Sequence, residues 1–327
     1  MKGFSTVPTT AGDAPYRGVG YLVLGVSIFS FQDVAIKWLS AGYTVHEIMF
    51  VRSIVAAPAI VLIACMTEGI RAIVPRRPLL HLWRSCATFA AYSLYYLGLA
   101  ALPLADAATL YFSCPLFITL LAILVLGEPV GWRRFLAIVV GFGGVAIMLR
   151  PGESIVDVAA LLVLASSLSY AVSTIITRRL GVMSSGVSMA FSANLVNLVA
   201  SGLIGLAFGR GTLDTGSHPS LSFLLRAWTL PSWHDFGLMA LCGLIAGIGF
   251  YCLTQAYRVG RASMVAPFEY VSLPWAALWG WLAWGELPDW ATIGGVVLIV
   301  GSGLYVLRRE RETGQRIVDG RPLRPRI

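Results

Sequence analysis

The segment GVGYLVLGVSIFSFQDVAIKWLSAG is followed by nine more apolar runs of similar length. Together they fall at approximately 18–39, 45–67, 79–101, 105–126, 131–149, 156–178, 185–208, 235–257, 263–284 and 291–307. This succession constrains the fold more than any other feature. A helix rises about 1.5 Å per residue, so about 20 apolar residues cross a ~30 Å hydrocarbon layer. In lipid each backbone polar group must be satisfied internally, which a helix achieves. Charged residues are only 12% of the chain and hydrophobic residues 57%, too little charge to cover a soluble fold. The expectation is an all-α integral membrane protein of ten transmembrane helices. The first segment is too long for a signal peptide and lacks an A-x-A-type cleavage site, so it reads as a retained span.

Basic residues set the threading. With a cytoplasmic N-terminus, the inside segments hold 19 of the 24 Lys and Arg, including Arg76, Arg77, Arg133, Arg134, Arg178, Arg179 and the tail from Arg308. Both termini are therefore expected to be cytoplasmic. The net charge of +8 reports orientation and gives no reason to expect a nucleic acid partner. The five cysteines (Cys65, Cys86, Cys114, Cys242, Cys252) lie in apolar runs with no CxxC, so buried free thiols are expected and neither a disulfide framework nor a metal site.

The chain repeats itself. GEPVGWRRFLAIVVGFGGVAIMLR (127–150) and GELPDWATIGGVVLIVGSGLYVLR (285–308) share Gly, Glu, Trp and Arg at an offset of 158. Pro115 and Pro274 fall one residue off that offset and are expected to kink spans four and nine beside a cavity, or for packing alone. Five spans per repeat is odd, so the second repeat inserts inverted, the arrangement behind many secondary transporters. The division is a polar N-terminal tail at 1–17, a first repeat at 18–149, a second at 154–307 and a basic cytoplasmic tail at 308–327. Within the second repeat, 209–234 is a long outside loop with an expected interfacial helix around 219–229.

These repeats, with APFEYVSLPWAALWGWLAWGELPDWATIGG (266–295), resemble the drug/metabolite transporter superfamily with two EamA-type domains. The resemblance covers about 18–308. It implies ten helices around a central cavity and alternating access for small metabolites, without naming the substrate.

Ionisable residues within spans are costly and face a cavity or a partner. Asp33 lies roughly 22 Å up span one and Arg52 roughly 10 Å below the outer end of span two, at matching depth. In the hairpin register Asp33 meets Arg52 and Lys37 meets Glu47; alternatively Asp33 pairs with Lys37 at i,i+4. Such pairs either lock the hairpin or form an outer vestibule. Glu269, about 10 Å from the inner face, is the candidate for proton coupling, with Arg84 at similar depth to neutralise it. Tyr92, Tyr95, Tyr111, Tyr170, Asn194, Tyr251, Gln255 and Trp275 are the further substrate-binding candidates, with packing or interface anchoring as their alternative role. The glycines of spans five and ten suit close helix packing, and Gly243 with Gly247 suits packing or a dimer contact. Glu128 and Glu286, at matched span ends, suit a scaffold role.

The expected function is secondary transport of a small organic metabolite, namely an amino acid, an aromatic metabolite or a vitamin such as riboflavin, with proton coupling. A membrane-embedded enzyme or a passive channel is the alternative, but no HExxH, GxSxG or adjacent Asp pair is present. The protein is expected in a bacterial inner-membrane-type cell membrane, as monomer or homodimer. Its expected partners are the small-molecule substrate and membrane lipid, with no cofactor.

Overall fold

The computed structural model describes residues 14–67, 69–126, 132–149, 158–180, 184–216, 218–259 and 266–313. Every regular element among them is helical. They are α1 (Ala14–Leu39), α2 (Val45–Thr67), α3 (Pro78–Leu99), α4 (Leu104–Tyr111), α5 (Cys114–Leu126), α6 (Trp132–Leu149), α7 (Val158–Leu180), α8 (Gly186–Phe208), α9 (Pro219–Leu225), α10 (Trp233–Val259), α11 (Ser272–Trp284) and α12 (Trp290–Thr313). Short 3-10 turns occupy Ile70–Ile73 and Ala266–Val271. Among the described residues five stretches are long and apolar enough to cross a membrane: Gly18–Leu39, Val45–Thr67, Leu104–Val125, Val158–Thr177 and Gly186–Phe208. Phe135–Leu149, Trp233–Gly249 and Trp290–Val306 are shorter apolar helices.

The distribution of polarity is that of a lipid-facing bundle. Gln32, Glu47, Arg52 and Arg84 are buried, while Leu62, Leu206, Trp132 and Trp290 are exposed. Three of the cysteines are buried as expected. Cys65 and Cys86 are instead exposed on the outside of α2 and α3, where a small apolar thiol costs little in contact with acyl chains.

Packing is symmetric under exchange of the two halves. α1 lies along α10 as α3 lies along α7, and α2 meets α10 as α3 meets α8. α2 with α8, α4 with α11 and α6 with α12 pair across the exchange. The α6–α12 seam is built on glycine. A Cβ at Gly144 would come 2.8 Å from Leu298 Cβ, and one at Gly141 2.5 Å from Ser302 Oγ, so these helices approach more closely than side chains would permit. Gly243 serves internal packing: a Cβ there would stand 2.7 Å from the Arg52 carbonyl.

The stretch Leu104–Leu126 is broken rather than kinked. α4 ends at Tyr111, two residues turn, and α5 begins at Cys114 with Pro115 in its first turn, where the missing N–H costs nothing. The Tyr111 carbonyl, which a non-proline residue at 115 would engage, instead accepts from Ser167 Oγ of α7 at 3.2 Å. At the matched place in the second half, the 3-10 turn Ala266–Val271 gives way to α11 at Ser272, with Pro274 again in the first turn. Both prolines stand in the first turn of a new α-helix, one after a two-residue turn and the other after a 3-10 segment.

The long loop differs from expectation. Its helix spans only Pro219–Leu225 and tucks inward, with Phe223 fully buried in the main core. Arg226 then donates to the carbonyls of Ser40 (3.1 Å) and Ala41 (2.7 Å) in the α1–α2 turn. One aromatic anchor and these two bonds outweigh the amphipathic pull toward the interface. Ahead of the helix, Asp214 accepts from the Gly216 N–H (3.0 Å) and from Ser222 Oγ (2.8 Å), and these bonds hold its carboxyl below the ordinary value of 3.8.

Candidate functional site

Six elements converge on a polar cluster in the interior: α1, α2, α3, α4, α7 and the turn leading into α11. α3 supplies its axis. Residues 92, 95 and 96 share one side of a helix, so three tyrosines project together. Tyr92 stacks near Tyr96 at 6.2 Å, and Tyr95 lies 5.7 Å from Tyr96 and 5.2 Å from Tyr111. Tyr111 in turn lies 5.9 Å from Tyr170 of α7. The result is a run of aromatic rings through the centre of the bundle.

Charges are arranged around these rings. Arg52 Nη1 donates to the Tyr96 hydroxyl at 3.0 Å, and its guanidinium sits 5.5 Å from the Tyr92 ring and 5.8 Å from the Tyr96 ring. Gln32 Nε2 donates to the same hydroxyl at 2.7 Å. Asp33 accepts from the Tyr95 hydroxyl at 3.2 Å and lies within electrostatic reach of Arg52. Asp33 and Arg52 make no direct ion pair; two tyrosine hydroxyls stand between them. Arg84 donates from Nε to Thr177 Oγ1 (2.8 Å) and from Nη1 to the Met189 carbonyl (3.1 Å). It therefore spends these bonds on α7 and α8 and not on neutralising Glu269. Glu269 occupies the 3-10 turn ahead of α11, close enough to Cys114, Tyr170 and Tyr270 to interact with each.

The expected Lys37–Glu47 pair is absent, as is Lys37–Asp33. Lys37 Nζ meets Glu286 at 2.7 and 2.8 Å and the Leu102 carbonyl at 2.9 Å, and lies 4.8 Å from the Trp284 ring. Matching depths in a hairpin fix height but not azimuth, and Lys37 faces the far half of the molecule. Glu47 stays buried in the first turn of α2, in contact with the backbone N–H groups of Thr44 and Thr229, where the helix dipole favours an acid. Glu286 gains a definite role. Gly285 ends α11 with φ of 68°, a conformation that favours glycine, and returns Glu286 to the bundle. There its carboxylate also accepts from the Leu104 N–H at 3.1 Å, the first residue of α4. The Lys37–Glu286 contact thus joins α1 and α4 to the α11–α12 turn. The matched Glu128 lies outside the described residues.

The remaining candidates separate. Asn194 Nδ2 donates to the Ser53 carbonyl at 3.0 Å, tying α8 to α2. Trp275 stacks on Trp279 at 5.8 Å, beside Phe31 and away from the tyrosine run. Tyr251 and Gln255 belong to α10, and their side chains lie outside the described residues. Gln32 and Thr177 are the residues that sequence reasoning left out of the site. An amide next to Asp33 in an apolar helix was the available signal for Gln32. Thr177 has no such signal, because span ends are ordinarily rich in threonine. Among the described residues no three of His, Cys, Asp and Glu gather as a metal site.

The EamA-like transporter family model matches the chain twice, over residues 16–150 and 157–308. A riboflavin transporter of Rhizobium johnstonii is 30% identical over 304 residues, covering 90% of this chain and 91% of that protein. An S-adenosylmethionine uptake transporter of Rickettsia prowazekii is 26% identical over 301 residues, 91% of this chain and 94% of that one. A pseudopaline exporter of Pseudomonas aeruginosa is 28% identical over 300 residues, 90% and 97%. A crystal structure at 16% identity shares the fold, with a TM-score of 0.60 over 90% of this chain and 98% of the other. Family and relatives alike point to a multi-pass membrane transporter and not to an enzyme. The chain belongs to the EamA-like transporter family, whose model it fits once in each half.

Proposed function

We propose that the protein is a secondary active transporter that moves a small organic metabolite by alternating access. In this reading it crosses a bacterial inner-membrane-type membrane ten times, as two inverted five-helix repeats (18–149 and 154–307) with both termini cytoplasmic. The observation that carries it is the pair of matched helix breaks, at 112–113 and ahead of Ser272, flanking a tyrosine-lined polar cluster in a chain whose family model matches twice. Broken helices at mid-depth are how such carriers expose backbone and side chains to a solute. The relatives named for S-adenosylmethionine, riboflavin and pseudopaline support a metabolite-sized cargo.

The seal around Lys37 and Glu286 closes the outer side, helped by the inward-tucked loop. Asp33 and Glu269 are the proton-coupling candidates, since an acid in a low-dielectric cavity exchanges its proton when its surroundings change. Counterflow in proteoliposomes tests the carrier: trans-stimulated exchange is expected, and a channel gives none. Glu269→Gln is expected to abolish the pH dependence of uptake. A pH profile identical to the wild type would remove Glu269 from the coupling path.

A further inference from the structure

Arg84 is more than nine-tenths buried, yet its guanidinium is not used up. Of its five N–H donors, Nε is spent on Thr177 and one on Nη1 on Met189. Nη2 bonds no described residue, and it is not among the buried nitrogens and oxygens sealed from any accessible space. No carboxylate among the described residues is in ion-pair contact with it. A buried guanidinium held only by a hydroxyl and a carbonyl is costly unless an anion arrives.

The surroundings show where that anion would come from. Tyr92 lies within electrostatic reach of both Arg84 and Arg52. Tyr92, Tyr111 and Tyr170 are only partly buried, and none of their hydroxyls bonds another described residue or is sealed in protein. These hydroxyls and the spare edge of Arg84 each keep some accessible surface, and Tyr92 and Tyr170 both lie within electrostatic reach of Arg84. Tyr170 lies within electrostatic reach of both Arg84 and Glu269. The Tyr111–Tyr170 ring pair therefore stands near one cation, Arg84, and one acidic residue, Glu269.

We propose that Arg84 docks the carboxylate of a zwitterionic, amino-acid-type substrate, whose ammonium lies toward the Tyr111–Tyr170 faces and Glu269. Guanidinium and carboxylate match as a planar two-point pair, and an ammonium is attracted to aromatic faces. Thr177 and Met189 act as positioning residues that aim the fork. The proposal rests on the transporter reading and assigns its substrate class.

Full-length protein in proteoliposomes is loaded with L-phenylalanine, L-tryptophan and L-methionine, their amides, their decarboxylated amines, and uncharged riboflavin and adenosine. Exchange is read by mass spectrometry. Acids are expected to exchange at least about tenfold faster than the amides and amines, because a site built to bond a group rejects the analogue lacking it. Arg84→Gln is expected to lose that preference and raise KM for the acid at least about tenfold. Arg84→Lys, which keeps the charge but not the fork, is expected to recover it in part. Monodisperse elution and an unchanged Tm establish that each variant is folded; the wild-type comparison of acid and amide decides the matter if Arg84→Gln is not. Amides or amines exchanging as fast as acids, or a folded Arg84→Gln with wild-type KM, overturns the proposal. Exchange confined to riboflavin or adenosine overturns the substrate class and leaves the transporter reading standing. No exchange of any solute overturns both.

Discussion

Lys37 and Arg84 are both cations drawn into an apolar bundle, the first half-buried and the second buried, and the protein treats them oppositely. Lys37 has a carboxylate, a backbone carbonyl and an indole ring around it. Its three N–H donors are matched by acceptors, and the carboxylate that holds it also caps α4. Arg84 has one hydroxyl and one carbonyl and donors left over. Satisfied charge makes a joint between helices, whereas unsatisfied charge makes a place for something else. In a bundle this poor in charge the contrast separates holding residues from working residues.

The comparison breaks most visibly at Glu286. Glu286→Gln leaves the half-buried Lys37 beside a neutral amide and is expected to cost about 2–3 kcal/mol, less than breaking a fully buried pair, read as a fall in Tm of the purified protein. Replacing both partners, Lys37→Met with Glu286→Leu, is expected to restore most of that loss, because removing the pair together leaves no orphan charge. A double variant as unstable as the single one would mean that the contact does more than hold. Tyr96→Phe tests the boundary between the two regions. It strips one acceptor from both Arg52 and Gln32 and is expected to cost about 1–3 kcal/mol in a denaturant or thermal titration. An effect under about 0.5 kcal/mol would place that hydroxyl with the working residues. The smallest effect lies in the exposed loop. Asp214 has its carboxyl depressed first by the Gly216 N–H and then by the Ser222 hydroxyl. Its contribution is therefore present above the unfolded carboxyl value and lost as pH falls through the depressed one. Faster amide exchange at Gly216, after correction for intrinsic rate, is expected only below about pH 3.8, and at all pH values in Asp214→Asn.

Much of the architecture was legible because lipid imposes length and composition on each crossing. The repeated GE…W…GG pattern identified two like halves, and Pro115 and Pro274 marked the irregular crossings. What those prolines did locally was not legible. A helix-interior proline and one that opens a helix look the same in a string of apolar residues. The site was legible by type and misjudged by partner. Depth arithmetic brought Asp33 level with Arg52 but could not see the tyrosines between them, and it sent Lys37 to Glu47 when the side chain faces the other half. Glu286 was read as a helix-end or scaffold residue because it recurs as Glu128, and its hold on Lys37 and Leu104 fits that reading. The recurrence is real, yet the function of Glu286 depends on Gly285 turning it inward, a backbone angle that composition does not record.

The break at 112–113 has a mechanical consequence. It leaves α4 as a lever of eight residues, about 12 Å long, pivoting at Phe112 and Ser113. The far tip of the lever is Leu104, the residue whose N–H is held by Glu286. A tilt of about 10° moves a tip at that radius by roughly 2 Å, enough to part a hydrogen bond while α5, seated on α7, stays in place. The Leu104–Glu286 contact can then be released by turning α4 alone, with α5 left standing as its fulcrum.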